Sequence, residues 1–370
     1  MRAEKSYTVT PMTQAKSTPT ATTTAAGSSP HAPGHTPQGP CAHPVRVAYL
    51  GPAGTFTEQA LWQLVDAGDI TDHEGVAVGR DAVVTIPVTS PAAALDAVAA
   101  GDAACAVVAV ENSVDGPVTH TFDALAQHPG LHIYAETDVE IAFAIMVRPG
   151  FAREEVRSFA THPVARPQVA TWVATTWPEV DDIPASSNAA AAQAVADGTV
   201  DAAAAPARAA DVYGLEIIAD GIAEVTGTRT RFILVGPARA LPPASGRDRT
   251  GIILTLPNVP GSLHGALTEI ALRGVDVARL ESRPTRTGLG TYRFHLDVRG
   301  HLEDAPIAEM LLALKRYCED VQFLGSWRTQ DEPEDRAHTA GETDVVPAVW
   351  PQAAAWLEEL RAGGSGQPPR

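Results

Sequence analysis

One glycine-rich turn and two polar runs hold the side chains of this 370-residue chain whose types and spacing could do chemistry. Gly51-Pro52-Ala53-Gly54-Thr55-Phe56 sits where an apolar strand would give way to a helix. Glycines there let backbone N–H groups approach an anion, and the helix dipole favours negative charge. No Gly-Lys-Ser/Thr follows, so the turn is not a P-loop, and by itself it also fits a plain strand–helix turn. Glu111-Asn112-Ser113 ends the apolar run 104–110. Ligands of open parallel sheets bind at the carboxyl ends of strands, which suits three polar residues there; capping of a helix or turn by Asn112 or Ser113 fits as well. The stretch 226–232 sets Thr226, Thr228 and Thr230 beside Arg229 and Arg231. Hydroxyl and guanidinium groups recognise carboxylates, and the same residues would also serve as a polar loop. His128 and His132 have the spacing of a helical metal pair, but Pro129-Gly130 forbids that helix, and no metal site is expected.

These residues need elements to hold them. Residues 45–50 read as a strand, and Thr55 with Glu58 three positions on reads as a capping box for a helix to about 67. Ser90-Pro91 opens a second helix that Gly101 stops, and 104–110 reads as a strand buried on both faces. Strands over 141–147, 156–160, 200–205 and 231–235 alternate with helices over 167–177, 188–197 (capped by Asn188) and 206–213. Such alternation predicts α/β layers with mostly parallel strands over 45–237. Residues 238–249 are a Pro/Gly/Arg/Ser-rich linker. Strand 251–256, helix 262–273, strands 275–283 and 291–298, helix 305–317 and strand 321–326 then follow the ferredoxin-like βαββαβ order, within a domain spanning 250–330. Residues 1–44 carry almost no large aliphatic side chains and are expected to be a disordered tail. A loose linker over 331–344, a terminal helix over 349–360 and a disordered last ten residues complete the reading.

Bulk properties narrow the function. The net charge of -17 argues against nucleic acid as a partner, because phosphate binding needs a basic field. No stretch has the run of about 18 apolar residues that a membrane span requires. Cys41, Cys105 and Cys318 are few, far apart and odd in number, which suggests a reducing, cytoplasmic location.

The order of these motifs resembles that of prephenate dehydratases. Gly51 to Phe56, the run 111–118, Thr161-His162-Pro163, Gln168, Ser187-Asn188-Ala189 and Thr230-Arg231-Phe232 follow the family's succession, and the similarity covers 45–330. The runs 258–263 and 280–284 resemble the Gly-Ala-Leu-Val and Glu-Ser-Arg-Pro motifs of the ACT domain that follows in that family. The resemblance implies two α/β lobes similar to type II periplasmic binding proteins, with the active site between them. It implies that the chain leaves the first lobe after about Val118 and returns near Asp220.

By the same resemblance, prephenate loses its ring hydroxyl as water and its ring carboxylate as carbon dioxide. Aromatisation drives the reaction, so no cofactor is expected. Thr230 is the expected catalytic residue, acting with Glu111, Asn112 and Gln168. Thr55, Ser113, Thr161, Asn188, Arg231 and Phe232 are expected to bind substrate. Thr161 stands where serine is usual, and Gly227 where asparagine is common. ACT domains pair, so a homodimer or homotetramer is implied, with L-phenylalanine as allosteric inhibitor. Gly261, Ser262, Leu263 and His264 would line one side of the effector site; Glu281, Ser282, Arg283 and Pro284 would support the other. Ser262 and His264 depart from the family's pattern. Arogenate dehydratase and a non-catalytic amino-acid sensor are the competing readings.

Overall fold

The computed structural model describes residues 44–285, 291–330 and 346–363. Apart from Pro44, the expected tail lies outside them, as do the linker over 331–344 and the residues from 364 on. Three sheets organise the described residues.

The first is a six-stranded mixed sheet of β1 (Val45–Leu50), β2 (Val83–Val88), β3 (Cys105–Asn112), the short β4 (Gly116–Pro117), β5 (Leu131–Glu140) and β11 (Arg229–Pro237), in the order β2-β1-β3-β11-β5 with β4 paired to β3. β1 runs parallel to β2 and β3, whereas β11 runs antiparallel to β3 and β5. α1 (Phe56–Asp66), α2 (Pro91–Ala99) and α3 (Thr119–Leu125) cover it. The second sheet has the order β10-β6-β9-β7-β8, from β6 (Ala144–Val147), β7 (Ser158–Thr161), β8 (Asp181–Pro184), β9 (Ala202–Ala205) and β10 (Glu216–Ala219). It carries α4 (Ala170–Thr176), α5 (Asn188–Ala196) and α6 (Ala207–Tyr213). Alanines fill the space between this sheet and α5 and α6, so these layers approach closely.

Two expectations are corrected here. The strands are mixed rather than mostly parallel, because β5 and β11 pair antiparallel around the inserted second lobe. The chain also stays in the first lobe past Val118: α3 and β5 belong to it, and the crossing comes at 141–143. Leu131, Ile133, Tyr134 and Val139 of β5 are buried, so the strand covers apolar surface that would otherwise face water. The two crossings are tied together: Ile141 N donates to Thr228 O at 2.7 Å, and Ile222 N to Phe143 O at 3.3 Å.

The third sheet, β13-β14-β12-β15, comes from β12 (Asp248–Thr255), β13 (Val277–Pro284), β14 (Tyr292–Arg299) and β15 (Asp320–Arg328). With α7 (Ser262–Ala271) and α8 (Ala305–Tyr317) it makes the expected βαββαβ unit. One face packs on its own helices through Ile252, Leu254, Leu296 and Val298. The other contributes Ile253, Leu324 and Trp327 to a core shared with Ile233 and Val235 of β11. The terminal helix α9 spans Val346–Arg361.

Candidate active site

In the first lobe, β1, β2 and β3 are parallel and β11 runs against them, so the carboxyl ends of the first three share an edge with the start of β11. In the second, β7, β8 and β9 are parallel, so Thr161, the 185–188 turn and Pro206 share an edge. Carboxyl edges of parallel strands leave backbone donors and loop side chains free to meet a ligand. A cleft of about 550 Å³ runs between the two edges, walled by Thr55, Thr57 and Thr89 on one side and by His162, Asn188 and Pro206 on the other.

β3 reaches further than the apolar run predicts, taking Glu111 and Asn112 into the sheet. The ladder to β11 breaks there: Phe232 pairs with Ala109, but Arg231 pairs with Glu111 and Thr230 with Asn112. The extra residue, Val110, shifts the phase of the strand. A regular ladder would set Glu111 opposite Thr230; the bulge sets Asn112 there instead. Asn112 Nδ2 donates to Thr230 Oγ1 at 2.8 Å, and Thr230 is only 7% exposed. Asn112 Oδ1 accepts from Val114 N at 2.8 Å and Asp115 N at 2.9 Å, which fixes which end of the amide faces the threonine. Because Thr230 Oγ1 accepts from Asn112, its own proton is left to donate elsewhere. Ser113 closes the turn, its Oγ accepting from Arg229 N at 3.0 Å.

Arg231 and Phe232 are placed differently from Thr230. Neighbours along a strand face opposite sides, and Arg231 turns to Glu111, Glu136 and Asp138, at 3.7, 3.8 and 3.2 Å. Phe232 is buried in the core that joins the lobes. Gln168 holds the returning chain through its backbone: its carbonyl accepts from Glu224 N at 2.8 Å. Thr55 caps α1, accepting from Glu58 N at 3.3 Å and donating to Leu50 O at 3.2 Å. The capping box is shifted by one residue, because the Glu58 carboxylate accepts from Gly54 N rather than Thr55 N, at 2.7 Å. Gly51 is required by close approach: a Cβ there would lie 2.5 Å from Pro87 Cβ.

α5 is capped by Ser187 rather than Asn188, with Ser187 Oγ accepting from Ala190 N at 3.0 Å. That frees Asn188 for the cleft. Its Oδ1 accepts from His162 N at 3.0 Å and from Thr161 Oγ1 at 3.1 Å, so the buried threonine orients the asparagine. Thr55 and Asn188 thus wall the cleft directly, Thr161 acts behind Asn188, and Asn112 and Thr230 stand together at the first lobe's edge.

Sequence reasoning took Glu58 only as a capping residue and passed over Arg208 and Glu136. Glu58 takes the Arg208 guanidinium from the second lobe, Nε to Oε2 at 3.2 Å. Beside it the buried Tyr49 phenol is pushed up to about 12, by burial and then by the Glu58 carboxylate. Glu136 is buried below Arg231, and burial raises its carboxyl while Arg249 and Arg231 pull it back. A carboxylate beside Ile133, Tyr134 and Ala135 was the available signal.

On the third domain, Gly261 has φ +83° and precedes α7, whose first residues are Ser262, Leu263 and His264. Tyr317 OH donates to Ser262 O at 3.1 Å. Glu281, Ser282, Arg283 and Pro284 end β13. Arg283 forms two hydrogen bonds of 2.9 Å to Asp123 of α3, so its guanidinium belongs to the contact with the first lobe.

Comparisons with known proteins agree with this arrangement. The prephenate dehydratase family profile matches residues 47–240, and the ACT domain profile matches 250–316. A prephenate dehydratase of Corynebacterium glutamicum is 51% identical over 321 residues, 86% of this chain and 98% of that one. One from Mycolicibacterium vanbaalenii is 49% identical over 317 residues, again 86% and 98%. The crystal structure of an Arthrobacter aurescens prephenate dehydratase in complex with L-Phe superposes with a TM-score of 0.74 at 36% identity, covering 86% of this chain and all of that one. With motifs, lobes and regulatory fold in the same order along the whole match, this chain belongs to the prephenate dehydratase family.

Proposed function

We propose that this chain converts prephenate to phenylpyruvate, releasing water and carbon dioxide, with Thr230 serving the departing hydroxyl. The observation that carries the role of Thr230 is the 2.8 Å hydrogen bond from Asn112 Nδ2 to Thr230 Oγ1. A threonine hydroxyl is too weak an acid to give up a free proton at neutral pH. Held as an acceptor by Asn112, it can direct its proton at the oxygen that leaves, and so stabilise the charge that gathers there. Asn188 and the N-terminal turn of α1 supply further donors for the substrate's two carboxylates. Loss of carbon dioxide then aromatises the ring, a step that asks the protein for geometry and exclusion of water.

Thr230→Val keeps the shape and removes the hydroxyl. Turnover of prephenate, followed as phenylpyruvate, should fall by about 10²–10³ with the melting temperature nearly unchanged. Near-normal turnover would refute the role. Running the assay with arogenate and looking for phenylalanine tests the neighbouring reaction in the same experiment.

The regulatory half of the proposal is that phenylalanine inhibits by binding at the turn 261–264 together with the end of β13, in a homodimer or homotetramer. β13 is an edge strand with Ala278, Leu280 and Ser282 exposed, so it can pair with a second copy. Phenylalanine added to the assay should lower turnover, and light scattering reads the assembly. Three scattered cysteines, odd in number, support a reducing, cytoplasmic location. Among the described residues no helix is long and apolar enough to cross a membrane.

A further inference from the structure

A run of alternating charges leads from the catalytic strand into the ACT sheet. Arg231 Nη1 lies 3.7 Å from Glu111, and Arg231 Nε lies 3.8 Å from Glu136 Oε1. Glu136 Oε2 is 3.7 Å from Arg249 Nε, and Arg249 Nη1 is 3.5 Å from Asp297 Oδ2. Arg279 closes the run with hydrogen bonds of 2.8 and 2.9 Å to the Asp297 carboxylate. Trp327 Nε1 donates to Glu136 at 2.8 Å, and Gln330 N does so at 3.2 Å. The middle of the run is dry: the Glu136 side chain has 0% exposure, Arg249 3% and Asp297 7%.

Packing does not call for these charges. The same interface already buries Ile253, Leu324 and Trp327, and apolar side chains in place of the ions would avoid their desolvation cost. What the ions have that an apolar contact lacks is an electrostatic pull on Arg231, added to its 3.2 Å hydrogen bond to Asp138. Arg231 is bonded through the backbone to Thr230 and faces the opposite side of the same stiff strand. A pull on Arg231 from the ACT sheet therefore bears on the backbone that sets Thr230 opposite Asn112.

We propose that Glu136 is a positioning residue for the reaction, holding β11 through Arg231, with Arg249 and Asp297 of the ACT domain setting its place. The ACT sheet thereby acts on the active site through charge, while the packing of Ile253, Leu324 and Trp327 holds the interface together. The link to turnover rests on the dehydratase reading of Thr230.

The test uses the full chain. Glu136→Gln keeps the shape and removes the charge. Trp327→Phe withdraws the indole N–H from Glu136 together with part of the ring's packing, and stands in if the first variant does not fold. Leu324→Ala opens the same interface without touching a charge. Two readouts are taken: kcat and KM for prephenate, and amide hydrogen exchange over 229–232. Glu136→Gln is expected to lower kcat by about tenfold or more, with KM kept within about twofold, and to speed exchange in 229–232. Trp327→Phe should move both readouts the same way by about threefold, and Leu324→Ala, whatever it does to exchange through lost packing, should keep kcat within about twofold of wild type. Unchanged kcat and exchange in a folded Glu136→Gln would overturn the proposal. So would an equal loss of kcat in Leu324→Ala, or no change in Trp327→Phe where the first variant fails to fold. A wild-type chain that makes no phenylpyruvate would sink the dehydratase reading instead, and exchange in β11 would still decide whether Glu136 positions the strand.

Discussion

Asn112 is held at both ends, its oxygen by two turn amides and its nitrogen by Thr230, so its chemistry is a matter of one donor. Asn112→Asp preserves the shape and the turn but replaces that donor with an acceptor. Thr230 would then spend its proton on the new carboxylate, and kcat should fall about 100-fold with little change in melting temperature. Steady-state kinetics beside a thermal melt check this; a matching loss of stability would point to folding rather than chemistry. His295 makes a second prediction at this scale. It is buried on β14, packed on the Phe122 ring at 5.2 Å, and neither ring nitrogen has a hydrogen-bond partner. Burial, then the Arg279 guanidinium, depresses it from 6.5 to about 3, against the opposite pull of Asp297 and Asp123; Arg283 adds a further small push downward. A histidine neutral when folded and protonated when unfolded gives its full stability above pH 6.5 and loses it as pH falls toward 3. Each pH unit in that window costs up to about 1.4 kcal/mol. Urea unfolding of wild type and His295→Phe at pH 7, 6 and 5 should show a shallower decline in the variant; parallel declines would contradict it.

At the scale of elements, the ACT sheet meets the first lobe with almost no clearance. Gly325 of β15 has φ +132°, and a Cβ there would lie 2.3 Å from the carbonyl oxygen of Ile133 in β5. Gly325→Ala should therefore destabilise the protein by about 2–3 kcal/mol. Gly150→Ala also has positive φ but open space around it, and should cost only about 1 kcal/mol. Melting temperatures of the pair separate collision from backbone strain, and equal losses would deny the close approach. This contact also marks where sequence reading ends. The βαββαβ order, the α1 and α2 caps and the left-handed Gly214 after α6 could all be read from local residue types, because capping and hydrophobic period are local properties. β5 could not, since Glu136, Thr137 and Asp138 interrupt its apolar pattern and are satisfied by groups far along the chain, among them Arg231, Arg249, the Gln330 amide and Gln63. β8 and β10 are four-residue edge strands with little burial, so they leave no period to detect. The motif order pointed to Thr230 and Asn112, yet their facing each other depends on the Val110 bulge, which pairing across strands decides. The same limit explains Asn188, read as a helix cap when Ser187 one step earlier does that work.

Across the whole molecule, the two lobes are joined by the crossings and by a latch beside the cleft. Arg208 on α6 donates to Glu58 on α1, Tyr213 OH donates to Ala53 O at 2.9 Å, and a Cβ on Gly54 would come within 3.2 Å of Ala209. All three contacts land on the turn that opens α1, the turn whose Thr55 walls the cleft. Closing the lobes therefore shapes the site's donors, and loosening them should act on substrate binding before it acts on chemistry. Breaking a fully buried pair costs about 3–5 kcal/mol, but the Arg208 side chain is 33% exposed and Gly54 N still serves Glu58, so about 1–2 kcal/mol is expected for Arg208→Met. If the lobes close on prephenate, that free energy is drawn from the closed form. KM for prephenate should rise about 5- to 20-fold while kcat at saturation stays within about twofold. Arg208→Lys, which keeps the charge but not the planar fork, should fall between. If kcat collapsed while KM held, the latch would be part of the chemical step, and the division of labour between Thr230 at one edge and Arg208 across the cleft would have to be redrawn.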